Sequence, residues 1–255
     1  MAFIDTHTHI YLSKIEEERA ILLQRCLEHN ITKLFLPNID IESIEDVKSL
    51  SETYPNNCFP MMGLHPCSVK ADYKNILEII YNELQNGHYY GIGEVGLDFY
   101  WDKTFFNEQC ESFNIQAQWG IEKHLPVIIH ARKSMQEILG IIKNINSNQL
   151  FGIMHCFSGT YQQALESITL GFKIGIGGTI TYKKNDMRNW IHKIPLEHIV
   201  LETDSPYLAP VPFRGKTNES SYIIYVAQEL AKIYNVDLQI IETKTTENAL
   251  KVFGV

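Results

Sequence analysis

Apolar and polar positions along this chain alternate between two patterns. Short runs that are apolar along most of their length recur at Phe3–Ile4, Ile31–Pro37, Cys58–Pro66, Tyr89–Asp98, Pro126–His130, Leu150–His155, Phe172–Gly177 and His198–Asp204. Between them, apolar residues return every three or four positions. Examples are Ile15, Leu22, Leu23, Cys26 and Leu27, then Ile76, Ile79, Ile80 and Leu84, then Phe106, Cys110, Phe113, Ala117 and Ile121. The first pattern predicts strands buried on both faces, and the second predicts amphipathic helices. A further helix is expected from about Glu42 to Tyr54, another between His130 and Leu150, and two more over Tyr222–Tyr234 and Leu238–Phe253. Glu16, Glu17 and Glu18 stand where the dipole of the first helix favours acids.

Eight strands with helical segments between them, in a chain of 255 residues, predict an α/β fold of the (β/α)8 TIM-barrel type. No Pro/Gly/Ser linker or low-complexity tract divides the chain, so residues 1–255 read as a single domain. An open doubly wound sheet would carry a Gly-x-Gly-x-x-Gly turn after its first strand. Gly91, Gly93 and Gly96 have that spacing, but they sit inside the fourth strand and no helix start follows.

Chemistry is expected at the strand ends, because a barrel collects its active site at the C-terminal ends of its strands. His7 and His9, one residue apart, share a strand face about 7 Å apart. His65, then Glu94 and Asp98, His130, His155, and finally Glu202 and Asp204 follow at later strand ends. Histidines and carboxylates without a thiolate partner suit Zn²⁺, Mn²⁺, Ni²⁺, Fe²⁺ or Co²⁺, and Mg²⁺ as well if carboxylates and waters dominate. The donors exceed what one ion needs, which predicts two. Two ions can activate a water and clamp both oxygens of an in-line phosphoryl displacement. Asp5 and Asp98 are placed to orient an imidazole by accepting its N–H. Arg214 and Lys216, beside Gly215 just past the last strand, are candidates for binding a phosphate, and so is Arg132. Tyr100 and Trp101, directly after Asp98, are the first aromatics to consider for base stacking.

Composition narrows the picture. A hydrophobic content of 45% and a charged content of 20% describe an ordinary globular chain. No apolar run reaches membrane-spanning length, and no leader pattern precedes the first strand. Five scattered cysteines, odd in number and without a Cys-x-x-Cys, predict free thiols and a cytoplasmic protein. A net charge of −8 opposes broad electrostatic attraction to nucleic acid, so phosphate binding would have to be local.

Taken together, Asp5-Thr6-His7-Thr8-His9, Gly63-Leu64-His65-Pro66, Gly93-Glu94-Val95-Gly96-Leu97-Asp98, His130-x-Arg132, His155-Cys156-Phe157-Ser158-Gly159, Glu202-Thr203-Asp204-Ser205-Pro206 and Arg214-Gly215-Lys216-x-Asn218-Glu219 resemble the TatD family of metal-dependent deoxyribonucleases. The resemblance implies a two-metal (β/α)8 hydrolase that degrades DNA from the 3′ end, single strands preferentially. It further implies that His7, His9 and Asp204 hold one ion, His130 and His155 the other, with Glu94 between them. Asp204 would also orient or deprotonate the attacking water, while His65 and Arg214 face the phosphate. The partner implied is DNA; no protein partner or membrane is indicated. Two positions depart from the family pattern: Ser220, where Pro is common, and Lys133, where an acid is common. The alternative reading is a metal-dependent amidohydrolase or esterase acting on a small molecule or an aminoacyl-tRNA. Glu94 on the fourth strand, with no lysine ending the fourth, fifth or sixth, disfavours its carbamylated-lysine version.

Overall fold

A computed structural model describes residues 2–13, 16–101 and 103–255. Ile15, the first apolar position expected for the first helix, lies outside the described residues. The chain builds two compact units. One comprises the chain through Leu36, Leu50–Phe59 and Ile174–Val255, and the other Pro37–Ser49 and Pro60–Lys173.

In the first unit, β1 (Phe3–Asp5) pairs in parallel with β2 (Ile31–Leu36). On the other side of β1 the chain meets the strand farthest from it in sequence. Thr6 N and Oγ1 both donate to Leu201 O, at 3.0 and 2.9 Å, and Thr8 bridges to Ser205 in parallel. That partner is β8 (Ile199–Leu201), which in turn pairs with Ile174–Ile176 at the end of β7 (Phe172–Ile176). Three helices, α1 (Glu16–Glu28), α7 (Ile223–Tyr234) and α8 (Leu238–Phe253), complete this unit. The last one shows how a surface helix is tied down. Its buried stripe includes Ile241, Ala249, Val252 and Phe253, and Phe253 stacks on Phe35 of β2 at 3.5 Å. Asn248 Nδ2 donates to Leu196 O and Ile199 O, both at 2.7 Å, fixing α8 at the start of β8.

In the second unit, β4 (Ile92–Asp98) is buried along its whole length and pairs in parallel with β5 (Val127–Arg132). In turn β5 pairs with β6 (Gly152–Met154), and Met62 bridges to Ile92. The helices are α3 (Tyr73–Asn86), α4 (Phe106–Lys123), α5 (Met135–Ile145) and α6 (Tyr161–Thr169). Gln116 of α4 is buried because both ends of its amide are used: Oε1 accepts from Leu64 N at 2.7 Å and Nε2 donates to Leu64 O at 3.1 Å. The remaining elements, α2 (Ile44–Thr53) and β3 (Cys58–Pro60), are shared along the chain between the two units.

The elements differ from the expected ones in instructive ways. Strands β1, β3, β6 and β8 are only three residues long, so His7, His9, His65, His155, Glu202 and Asp204 stand beyond the ladders rather than on them. Glu94, conversely, lies inside β4. Helix α6 carries a reciprocal cap between Thr160 and Gln163, a T-x-x-Q signal the sequence displays. After β7 the chain runs through 3-10 turns at Gly178–Thr181, Asp186–Asn189, Ile191–Lys193 and Leu196–His198 in place of an α-helix. All five cysteines are free thiols. Among the described residues no helix is long and apolar enough to cross a membrane.

Candidate functional site

The N-terminal motif leaves β1 at Asp5, and the backbone then turns the two histidines toward one point. His7 Nε2 lies 3.2 Å from His9 Nε2, far closer than the spacing of an extended strand. Asp204 Oδ1 is 3.8 Å from His7 Nε2 and 3.5 Å from His9 Nε2. Donors around one ion at about 2.1 Å sit about 3.0–3.5 Å apart; the His7–His9 and His9–Asp204 distances match that spacing, and His7–Asp204 is wider by about 0.3 Å. Asp204 reaches this position with φ of 57°, a left-handed backbone that, glycine apart, Asn and Asp adopt more readily than most residues. Its N–H donates to His7 O at 2.9 Å, which locks the two motifs together.

Several side chains that are not ligand candidates hold this triad. Tyr11 Oη pairs with His9 Nδ1 at 2.8 Å, which points Nε2 inward. Tyr11 continues the 7-9-11 spacing, so the signal for it was present. Asp5 does not orient an imidazole as expected. It accepts instead from His7 N, Thr203 N and Thr203 Oγ1, at 3.2, 2.9 and 2.5 Å, and so braces the backbone of both motifs. Burial pushes its carboxyl up to about 7, against the pull of those hydrogen bonds. Ser220 donates to Thr8 Oγ1 at 3.0 Å, and Thr8 Oγ1 also pairs with Ser205 Oγ at 2.7 Å. Asn218 Nδ2 ties Thr203 O and Tyr207 O.

In the second unit, Glu94 Oε1 is the meeting point of three histidines. It lies 2.7 Å from His130 Nδ1, 3.5 Å from His65 Nε2 and 3.6 Å from His155 Nε2. His130 faces carboxylates on both sides, because its Nε2 lies 3.0 Å from Asp98 Oδ2. Burial alone would lower the His130 pKa; the hydrogen bonds to Asp98 and Glu94 outweigh it and raise it to about 9. Burial alone would raise Asp98, yet the His130 bond and the N–H groups of Tyr100 and Trp101 hold it down at about 2. Asp98 therefore takes the imidazole-orienting role expected of it.

His65 differs from the other two histidines. Its Nδ1 accepts from Cys67 N at 3.1 Å, so in the neutral ring the proton sits on Nε2, facing Glu94. A histidine in that state donates rather than ligates, which suits contact with a phosphate oxygen. Gly96 keeps His130 in place: it sits opposite His130 in the β4–β5 register with φ of 137°, and a Cβ there would lie 2.1 Å from His130 O.

Among the described residues, neither candidate arginine is drawn into these clusters. Arg214 is exposed, its guanidinium 4.5 Å from the centre of the Tyr182 ring, while Arg132 lies over Tyr100 at 4.0 Å. Glu202 is buried beside Gly175, whose added Cβ would meet its carboxylate at 2.6 Å.

A model of the TatD-related DNase family matches residues 4–254. The chain belongs to the TatD-related DNase family. A metal-dependent hydrolase of Haemophilus influenzae is 33% identical over the full length of both chains. The metal-dependent hydrolase YabD of Bacillus subtilis is 31% identical over 98% of each. The crystal structure of YjjV, a TatD homologue from Escherichia coli K12, superposes with a TM-score of 0.93 at 30% identity, covering 99% of this chain and 98% of that one. The fold class of this family member is thus α/β of the (β/α)8 hydrolase type that the strand pattern predicted.

Proposed function

We propose that this protein is a metal-dependent phosphodiesterase that hydrolyses DNA, acting from the 3′ end with a preference for single strands. Family membership supports the substrate class. The observation that carries the chemistry is the convergence of His7, His9 and Asp204 at ligand spacing, with nothing but nitrogen and oxygen donors. This donor set fits a divalent ion such as Mg²⁺, Mn²⁺ or Zn²⁺. In our reading that triad holds one ion, and Glu94, His130 and His155 hold a second. Bound there, the ions supply Lewis acidity to the phosphate and make a water acidic enough to attack at neutral pH.

The chain's own residues supply the rest. Asp204, the one carboxylate of its cluster and 15% exposed, orients the water and takes its proton. Asp98 holds the Nε2–H of His130, so Nδ1 would be the atom left to hold an ion. His65 donates its Nε2–H to a phosphate oxygen. Arg132 and Arg214, both exposed, contact flanking phosphates.

The test is digestion of 3′-labelled and 5′-labelled single-stranded oligonucleotides with Mg²⁺ or Mn²⁺, and with EDTA. Metal-dependent shortening from the 3′ end is expected, with Asp204→Asn slower by about a hundredfold or more. A metal-loaded protein that leaves both oligonucleotides intact is not a DNase. Esters and amides would then be the substrates to try.

A further inference from the structure

Beside the Glu94–His130 cluster lies a feature that metal chemistry does not use. Tyr100 is 48% exposed and Trp101 67% exposed, with ring centres 4.9 Å apart and edge-on. Large aromatic side chains left this open are not serving the core. Cations gather over them: Arg132 lies 4.0 Å from the Tyr100 ring and 5.3 Å from Trp101, and Lys133 Nζ lies 5.0 Å from Tyr100. In a chain of net charge −8, this is a local concentration of positive charge on aromatic faces. The segment is also tied to the chemistry. Asp98 Oδ1 accepts from Tyr100 N at 2.8 Å and Trp101 N at 3.3 Å, while Oδ2 of the same carboxylate faces His130. One side chain thus fixes both a candidate metal ligand and the backbone of the aromatic pair.

We infer that Tyr100 and Trp101, with Arg132 and Lys133, form a nucleotide-stacking subsite that holds single-stranded DNA beside His130 and Glu94. The inference rests on the DNase reading above and names what recognises the strand. Every base has a π-face, so an indole grips single strands without regard to sequence. Stacking on Tyr100 uses the flat face of the Arg132 guanidinium. Its N–H groups lie in the plane, at the edge, where they fork onto a phosphate. In a duplex the bases are already stacked on one another, so this subsite favours strands whose ends are unpaired.

Two readouts test it: the Kd for a fluorescein-labelled oligo-dT by anisotropy in EDTA, and the KM for its metal-dependent cleavage. Trp101→Ala is expected to raise Kd or KM about tenfold or more, while Trp101→Phe, which keeps a stacking face, stays within about threefold of wild type. Arg132→Ala is expected to flatten the dependence of log Kd on log salt by about one phosphate contact. Trp101 is mostly exposed, so its replacement does not threaten folding. If Trp101→Ala matches wild type in both readouts while cleavage continues, the subsite is refuted and the DNase reading stands. A Trp101→Phe variant as weak as Trp101→Ala also refutes stacking. Wild-type protein that neither binds nor cleaves the oligonucleotide overturns both readings.

Discussion

Both ring nitrogens of His130 face carboxylates, so the metal-free protein holds this imidazole protonated well past its ordinary pKa of 6.5, to about 9. Ligation needs a neutral ring, and metal uptake must therefore displace that proton. Calorimetric titration with Mn²⁺ at pH 7 in buffers of different ionisation enthalpy is expected to show release of about one proton. The Asp98→Asn variant should release less, because its His130 has lost one of the two carboxylates that keep it charged. The same shift has a stability consequence in metal-free protein. A raised histidine pKa contributes stability that is complete below about 6.5 and is lost as pH rises through about 9. Thermal midpoints of EDTA-treated protein should fall across that window, and less steeply in Asp98→Asn. Asp5 was expected to touch an imidazole and braces two backbones instead. Its residue type was informative, but its hydrogen-bond partners stand 198 positions away at Thr203.

At the scale of elements, what matters is where a strand stops. β1, β6 and β8 each end before their ligand-type residues, and the chain then leaves the pleat so that side chains of neighbouring motifs converge. Alternation predicted shared faces; it could not predict nitrogens 3.2 Å apart. Two substitutions separate elements that position the site from those that only stabilise. Gly96→Ala puts a methyl against His130 O and demands a positive φ from alanine. It should part β4 from β5, lower the thermal midpoint and reduce bound metal per chain by mass spectrometry. Thr160→Ala removes the cap of α6 and should cost about 1 kcal/mol in urea unfolding, with metal content unchanged.

For the whole molecule, an ion that binds only the folded chain adds to its stability by mass action. At a hundredfold excess over Kd this is about 2.7 kcal/mol per site. For a chain of this size that is roughly 5–10 °C in thermal midpoint. Scanning calorimetry with Mn²⁺ against EDTA should show such a rise. It should be largely absent in His7→Ala and His9→Ala if their triad is the tighter site. The net charge of −8 is also a property of the whole chain, and it makes local cations such as Arg132 count for more.

The sequence by itself determined the class of fold, because hydrophobic periodicity is local and each strand or helix shows it within a few residues. It determined the donor chemistry too, since histidines and carboxylates recur wherever an apolar run ends. It also displayed the family pattern from Asp5 to Glu219. Only the tertiary structure decided which donors meet. Thr6 finds Leu201, His9 N finds Ser205 O, and Asp204 N finds His7 O, pairings about 195 residues apart that no periodicity encodes. It decided as well that His65 donates while His130 is held between two carboxylates, because those states depend on hydrogen-bond partners. Finally, it left Tyr100 and Trp101 open with cations over them, since burial is set by what packs nearby.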